Sequence, residues 1–184
     1  RLSAPRRLRD SGMKRVLVLV VATLALAACQ RQAAAPTPAE AAAQPQSEAS
    51  AAFMAKVAKE EGVTVLPSGL AYKVVRSGPP IGLKPQVTDE VKVHYEGKLE
   101  NGHIFDSSYE RGAPAAMPLR GLIPAWQEAL PMMRPGDEWI LYVPSNLGYG
   151  EEGAGGGEIP PGAPLIFRIE LIDVLPGPGR VQQG

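Results

Sequence analysis

The chain holds a single cysteine, Cys29, among 184 residues. No intrachain disulfide can form, so the fold has to rest on its apolar core. There are only two histidines, His94 and His103. Neither has a cysteine beside it or a second histidine at ligand spacing, which leaves no zinc-type pattern and no expected metal. An excess of positive charge is also missing, since 19 Lys and Arg balance 19 Asp and Glu. Six of the basic residues (Arg1, Arg6, Arg7, Arg9, Lys14, Arg15) precede Cys29, with Asp10 the one acid among them. From Gln30 onward 13 basic residues therefore face 18 acidic ones, a net charge of −5. Phosphate backbones are bound by clustered Lys and Arg, so no nucleic acid partner is expected. The apolar run over 16–28 is 13 residues long, short of the ~20 that a membrane-spanning helix needs. "GAGGG" at 153–157 has no lysine or helix entry of a phosphate loop. Ser145 has no histidine near it in sequence, so no nucleophilic triad is indicated. No cofactor is expected.

With 45% hydrophobic residues the chain can bury one domain's core and have length to spare. Residues 1–12 read as an upstream extension with no part in the fold. Met13-Lys14-Arg15, the apolar run and the small residues after it read as a signal peptide over 13–28. "LAAC" at 26–29 resembles the lipobox of bacterial lipoproteins. That resemblance implies lipidation of Cys29 and stable attachment to a membrane through more than one acyl chain. Gln30, rather than Asp, follows the cysteine, which by the same resemblance points to the periplasmic face of an outer membrane. Residues 29–48 carry several prolines and no bulky apolar side chain, so they read as a disordered Ala/Pro linker. Residues 49–62 read as a helix, with Ser47 or Ser50 as cap, Phe53 and Val57 at i and i+4, and Gly62 as the stop. Its thin apolar stripe is expected to dock on the domain; the alternative is a homodimer contact.

From Val63 to 175 the period changes to two. "GLAYKVVRSG" reads as a strand, and "DEVKVHYEGKL" alternates Val91, Val93 and Tyr95 against Lys92, His94 and Glu96. Asn101-Gly102 is a tight-turn signal that returns the chain into "HIFDSS". "GLIPAWQEALPMM" gives a short helix with Pro124 in its first turn and Pro131 at its end. Two further strands place Trp139, Leu141 and Val143, then Leu165, Phe167, Ile169 and Leu171, in phase. Ile140 and Tyr142 fall on the nominally outer face, where polar groups belong, and are expected to receive the N-terminal helix. The expected class is α+β, a strongly twisted antiparallel sheet of about five strands wrapped around one short helix. Residues 176–184 read as a flexible tail.

Two features carry chemistry. The stretch "SNLGYGEEGAGGGEIPPGAP" is too rich in Gly and Pro for regular structure, and long loops inside ordered domains are often functional. Asp106 follows Phe105 where the pattern points inward, so it is either a general acid or base or a polar fixture of an apolar pocket.

"VHYEG", "FDSSYERG", "GLIPAW", "GYG" and "LIFRIEL" together resemble the FKBP-type peptidyl-prolyl cis-trans isomerases over about 63–175. The preceding helix resembles the bacterial subgroup that includes the macrophage-infectivity-potentiator type. The resemblance implies an enzyme that speeds X-Pro rotation in exported, partly folded polypeptides, with a macrolide as a further ligand. It implies a pocket built from Tyr95, Phe105, Leu122, Trp126, Ile159 and Phe167, with Trp126 as its floor. It also implies that Ile123 N–H and the Tyr149 hydroxyl bond substrate carbonyls. Asp106, paired with Arg111, would then fix the pocket's polar end without moving a proton. Ala115 stands where many members carry an aromatic wall, and the loop is longer and richer in glycine, which implies a wider pocket. A peptide-holding chaperone module without turnover is the alternative.

Overall fold

A computed structural model of the chain describes residues 36–42 and 46–178. The expected leader and Cys29 lie outside the described residues. Seven strands, β1 (Val63–Val65), β2 (Ala71–Arg76), β3 (Glu90–Leu99), β4 (Ile104–Ser107), β5 (Ala115–Pro118), β6 (Glu138–Val143) and β7 (Leu165–Leu175), form one sheet. Its order is β1-β2-β6-β7-β3-β4, with β5 also paired to β3, and every pairing is antiparallel. The class is the expected one, with two strands beyond the five anticipated. β1 spans only three residues, and β5, Ala-Ala-Met-Pro, has no β-branched or aromatic side chain to announce it.

β3 and β7 form the spine, paired from Glu90 opposite Leu175 to Leu99 opposite Leu165. Alternation places Val91, Val93, Tyr95 and Leu99 on one buried face, together with Leu165, Phe167, Ile169 and Leu171. That face closes over helix α1 (Pro124–Ala129), whose Ala125, Trp126 and Ala129 are buried. Pro124 occupies the first turn as expected, its missing N–H being one that a helix start does not use. Pro131 does not end the chain's helical course: a 3-10 turn, Leu130–Met132, runs straight on from α1 and contains it.

The opposite face is covered in part by a second helix, α2 (Glu48–Val57), capped by Ser47, whose hydroxyl accepts from Ser50 N–H. Phe53, Met54 and Val57 pack on Ala71 and Tyr142, with Ile140 and Ile166 beside them. Fully burying a side chain of this size contributes roughly 1.5–3 kcal/mol, so the three together offset part of the cost of ordering a ten-residue helix. α2 ends at Val57, five residues before Gly62. Past Val57 the next turn offers Lys59, Glu60 and Glu61, all exposed, so nothing further can land on the sheet.

Two stretches expected to be unstructured hold structure. Within the linker, α3 (Pro38–Ala42) begins with Thr37 N–H and Thr37 Oγ1 both donating to Glu40 Oε2. Its Ala41 is fully buried in the main core, against α1 and the turn Ser145–Leu147. A lone methyl has no bulk or period to register in a sequence, yet it fits where a larger side chain would not. At the other end Gly177 N–H donates to the buried Asp89 carboxylate, so the tail leaves the domain fastened.

Candidate active site

The buried face does not close completely. Between α1, β3, β4 and the loop after β6 lies a cavity of about 260 Å³ lined by Tyr95, Phe105, Asp106, Met117, Gly121, Leu122, Ile123, Trp126, Tyr149 and Phe167. Trp126 is 3% exposed. Tyr95 stands edge-on to it, with ring centres 5.3 Å apart at 82°, and Phe167 does the same at 5.4 Å and 87°. Phe105 meets Phe167 at 5.7 Å and 84°. These are the preferred edge-to-face arrangements of aromatic pairs. The indole is thus a floor with two upright walls.

Gly97 makes this packing possible. It sits opposite Phe167 in the β3–β7 pairing, and a Cβ there would lie 2.6 Å from the Phe105 ring and 2.8 Å from that of Phe167. Gln127 is a second support. It is 5% exposed, and its Nε2 donates to Leu122 O at 2.8 Å, holding the segment that enters α1. Ile123 caps the helix with extended backbone, and its N–H has no hydrogen-bond partner among the described residues.

The polar end is a closed triangle. Tyr95 Oη donates to Asp106 Oδ2, Arg111 Nη1 donates to Asp106 Oδ1, and Arg111 Nη2 donates to Tyr95 Oη at 2.8 Å. Burial alone would raise the Asp106 pKa. The hydrogen bonds from Tyr95 and Arg111 and the guanidinium charge outweigh it and hold the carboxyl below its ordinary value of 3.8. Burial, and then the bond to Asp106, pushes Tyr95 up from its usual value. Tyr149, 38% exposed at the rim, is raised by burial and then by the negative charge of Asp106. At neutral pH the site therefore presents an ionised carboxylate with its proton partners fixed, and a neutral phenol at the mouth.

The structure gathers eight of the nine residues expected in the pocket (Tyr95, Phe105, Asp106, Leu122, Ile123, Trp126, Tyr149 and Phe167) around one cavity, with Arg111 bound to its polar end. Ile159 is not among the lining residues. It is 5% exposed, belongs to the core and pairs with Ala154 across the loop. Ala115 is half-buried opposite Val93, and Met117, two residues on along β5, supplies wall that the Ala115 position lacks. Met117, Gly121, Gly97 and Gln127 escaped the sequence reading. Gly97 within "VHYEG" had a signal, a glycine inside a strand, which marks close approach of other groups.

Fold and cavity define the class: an α+β domain whose twisted antiparallel sheet and short helix enclose an apolar, aromatic-floored pocket with a polar rim. Residues 82–172 match the model of the FKBP-type peptidyl-prolyl cis-trans isomerase, and residues 11–74 match the domain amino terminal to FKBP-type peptidyl-prolyl isomerase. The chain is 50% identical over 127 residues to the peptidyl-prolyl cis-trans isomerase Mip of Coxiella burnetii, covering 69% of this chain and 54% of that protein. It is 47% identical over 123 residues to the FKBP-type 22 kDa peptidyl-prolyl cis-trans isomerase of Escherichia coli, covering 67% and 58%. The chain thus spans about half the length of the curated relatives it matches. A crystal structure of a peptidyl-prolyl cis-trans isomerase from Pseudomonas syringae pv. tomato superposes with a TM-score of 0.65 at 38% identity, covering 77% of this chain and 98% of that one. The chain belongs to the FKBP-type peptidyl-prolyl cis-trans isomerase family.

Proposed function

We propose that the protein accelerates cis–trans rotation of X-Pro bonds in exported polypeptides. The supporting observation is the box formed by Trp126 with Tyr95 and Phe167 upright on it, aromatic at its floor and walls and open at one side. Rotation about an amide C–N bond meets a barrier of ~18–20 kcal/mol because the planar form is stabilised by resonance. Before proline both isomers are populated, and exchange takes roughly tens to hundreds of seconds. The planar amide is more charge-separated than the twisted one, so water favours the planar form. A proline ring seated on Trp126 draws the bond into a site lined by Phe105, Trp126 and Phe167, where that preference is lost and the twisted form gains.

No proton need leave the substrate. Asp106 holds Tyr95 and Arg111 in place and keeps its charge at the cavity's polar end. Ile123 N–H and the Tyr149 hydroxyl offer donors to the carbonyls on either side of the rotating bond. The same box would seat a macrolide ligand. Lipidation of Cys29, read from "LAAC", places the domain outside the cytoplasm on a membrane.

Exchange rates of a short X-Pro peptide in the presence of the purified chain test the reading. Acceleration that disappears in Trp126→Ala supports it. Peptide binding without acceleration overturns it in favour of a holding module. Release from membranes by Cys29→Ser tests the anchor.

A further inference from the structure

The loop from residue 144 to 164 carries Tyr149, and the N-terminal segment grips both of its limbs. On the near limb Ser145 N–H donates to Ser50 Oγ at 2.8 Å, and the Ser145 hydroxyl accepts from Ser47 N–H at 3.2 Å. Next to it Asn146 Nδ2 donates to Ala41 O at 3.0 Å. On the far limb Ser47 Oγ donates to Gly162 O at 2.5 Å. Gly162 N–H in turn donates at 2.8 Å to the carbonyl of Gly150, the residue after Tyr149. The approach at Gly162 admits no side chain: its φ is +69°, and a Cβ would lie 2.8 Å from Ser47 Cβ.

Hydrophobic docking of α2 explains none of this. Phe53, Met54 and Val57 face Tyr142 and Ala71, whereas the two serines sit at the helix start. Ser50 and Ser145 are 0% and 1% exposed, so each is a desolvated polar group whose partner lies in the other segment. A helix cap needs one hydroxyl bonded to its own backbone, and Ser47 already supplies that to Ser50 N–H. Ser50 Oγ also donates to Gln46 Oε1 in its own segment, and the other bonds of the two serines go to the loop.

We propose that Ser47 and Ser50 are positioning residues of the isomerase site: they clamp the two limbs of the loop, so that the Tyr149 rim is preorganised for substrate only while the N-terminal segment is docked. The idea rests on the function proposed above. A rim held in place is worth most to binding and little to rotation on the Trp126 floor, so its loss falls on KM.

The full chain is compared with Ser50→Ala, Ser47→Ala and Val174→Ala; the last removes packing at the far end of β7 and serves as a control of matched thermal destabilisation. Two quantities are read, KM and kcat on an X-Pro peptide, and amide hydrogen exchange at Gly148, Gly153 and Gly162, whose N–H groups bond within the loop. The serine variants are expected to raise KM about three- to tenfold with kcat nearly unchanged, and to speed exchange at the three glycines about tenfold. Val174→Ala is expected to do neither. Serine variants that match Val174→Ala in both readouts overturn the clamp. If the unaltered chain shows no isomerase activity, the function proposed above fails, and the exchange comparison alone decides the clamp.

Discussion

The two faces of the sheet are made by alternate residues of the same strands, and they end differently. On the inner face Trp139, Leu141, Val143, Phe167 and Ile169 share one core with Ala125, Trp126 and Ala129 of α1 and leave a cavity of about 260 Å³ over Trp126. On the outer face Ile140, Tyr142 and Ile166 meet α2, and no cavity-forming aromatic box arises. Farther along that outer face the covering stops. There Arg76 and Arg168 flank the buried Glu138, and Arg76 also reaches Glu170, at 2.5 Å. Outer-face apolar residues thus mark the part that α2 covers and outer-face ion pairs the part it leaves, while an inner-face residue is silent about whether core or cavity follows. What distinguishes the cavity is a glycine, Gly97, where the strand period would call for a side chain.

The contrast is broken most severely at the floor. Trp126→Ala is expected to lower stability by about 3–5 kcal/mol, since a large buried ring is removed, and to abolish isomerase activity. Thermal unfolding beside peptide exchange reads both. Next comes Gly97→Ala. The added methyl must push Phe105 and Phe167 apart, at a cost of about 1–3 kcal/mol. Its activity loss should exceed what the stability loss accounts for, because the walls of the site move. Tight macrolide or peptide binding retained by a stable Gly97→Ala protein would show that these walls do not shape the site.

On the outer face Val57→Ala should cost about 1–2 kcal/mol of stability. The Trp126 floor is untouched, so kcat is expected to stay within about twofold of the unaltered chain. A kcat that fell with stability in Val57→Ala as it does in Trp126→Ala would erase the distinction between the faces.

How far these differences could be read beforehand follows the same physics. Period-two alternation put Tyr95 and Phe167 on one face and marked Ile140 and Tyr142 as misplaced, because bulk and polarity are properties a sequence displays. The motif set brought Trp126, Tyr149, Asp106 and Arg111 into the same reading. Ala41, Ala115 and Gly97 matter through being small. Their effect depends on which ring or backbone stands opposite, and that is fixed only when β3, β5 and β7 come into register. Ile159, expected in the pocket, is bulky too, but its place depends on the loop's own Ala154–Ile159 bridge, which seats it in the core among residues other than those that line the cavity.

The gentlest test separates the roles of charge and shape at the polar end. Asp106 has its folded pKa below the ordinary 3.8, so its bonded carboxylate favours folding above about pH 4, and that contribution is lost as pH falls through the lowered folded value. Tyr149 and Tyr95 are shifted the other way, above their ordinary value of 10.0, so both phenols keep their protons through the neutral range. No group of the triangle or the rim changes charge between about pH 5 and 9. The rate of X-Pro exchange on a fixed peptide should therefore be flat across that window, and Asp106→Asn should lower it by a factor that does not vary with pH. As pH falls through that lowered folded value, the stability difference between Asp106→Asn and the unaltered chain should shrink, since the carboxyl becomes neutral in the folded state as it already is in the unfolded one. A rate that rose or fell tenfold per pH unit anywhere in the window, and lost that slope in Asp106→Asn, would make Asp106 a proton-transfer group after all. The flat profile is what a carboxylate held ionised by its bonds to Tyr95 and Arg111 requires, because its charge does not change anywhere in the window.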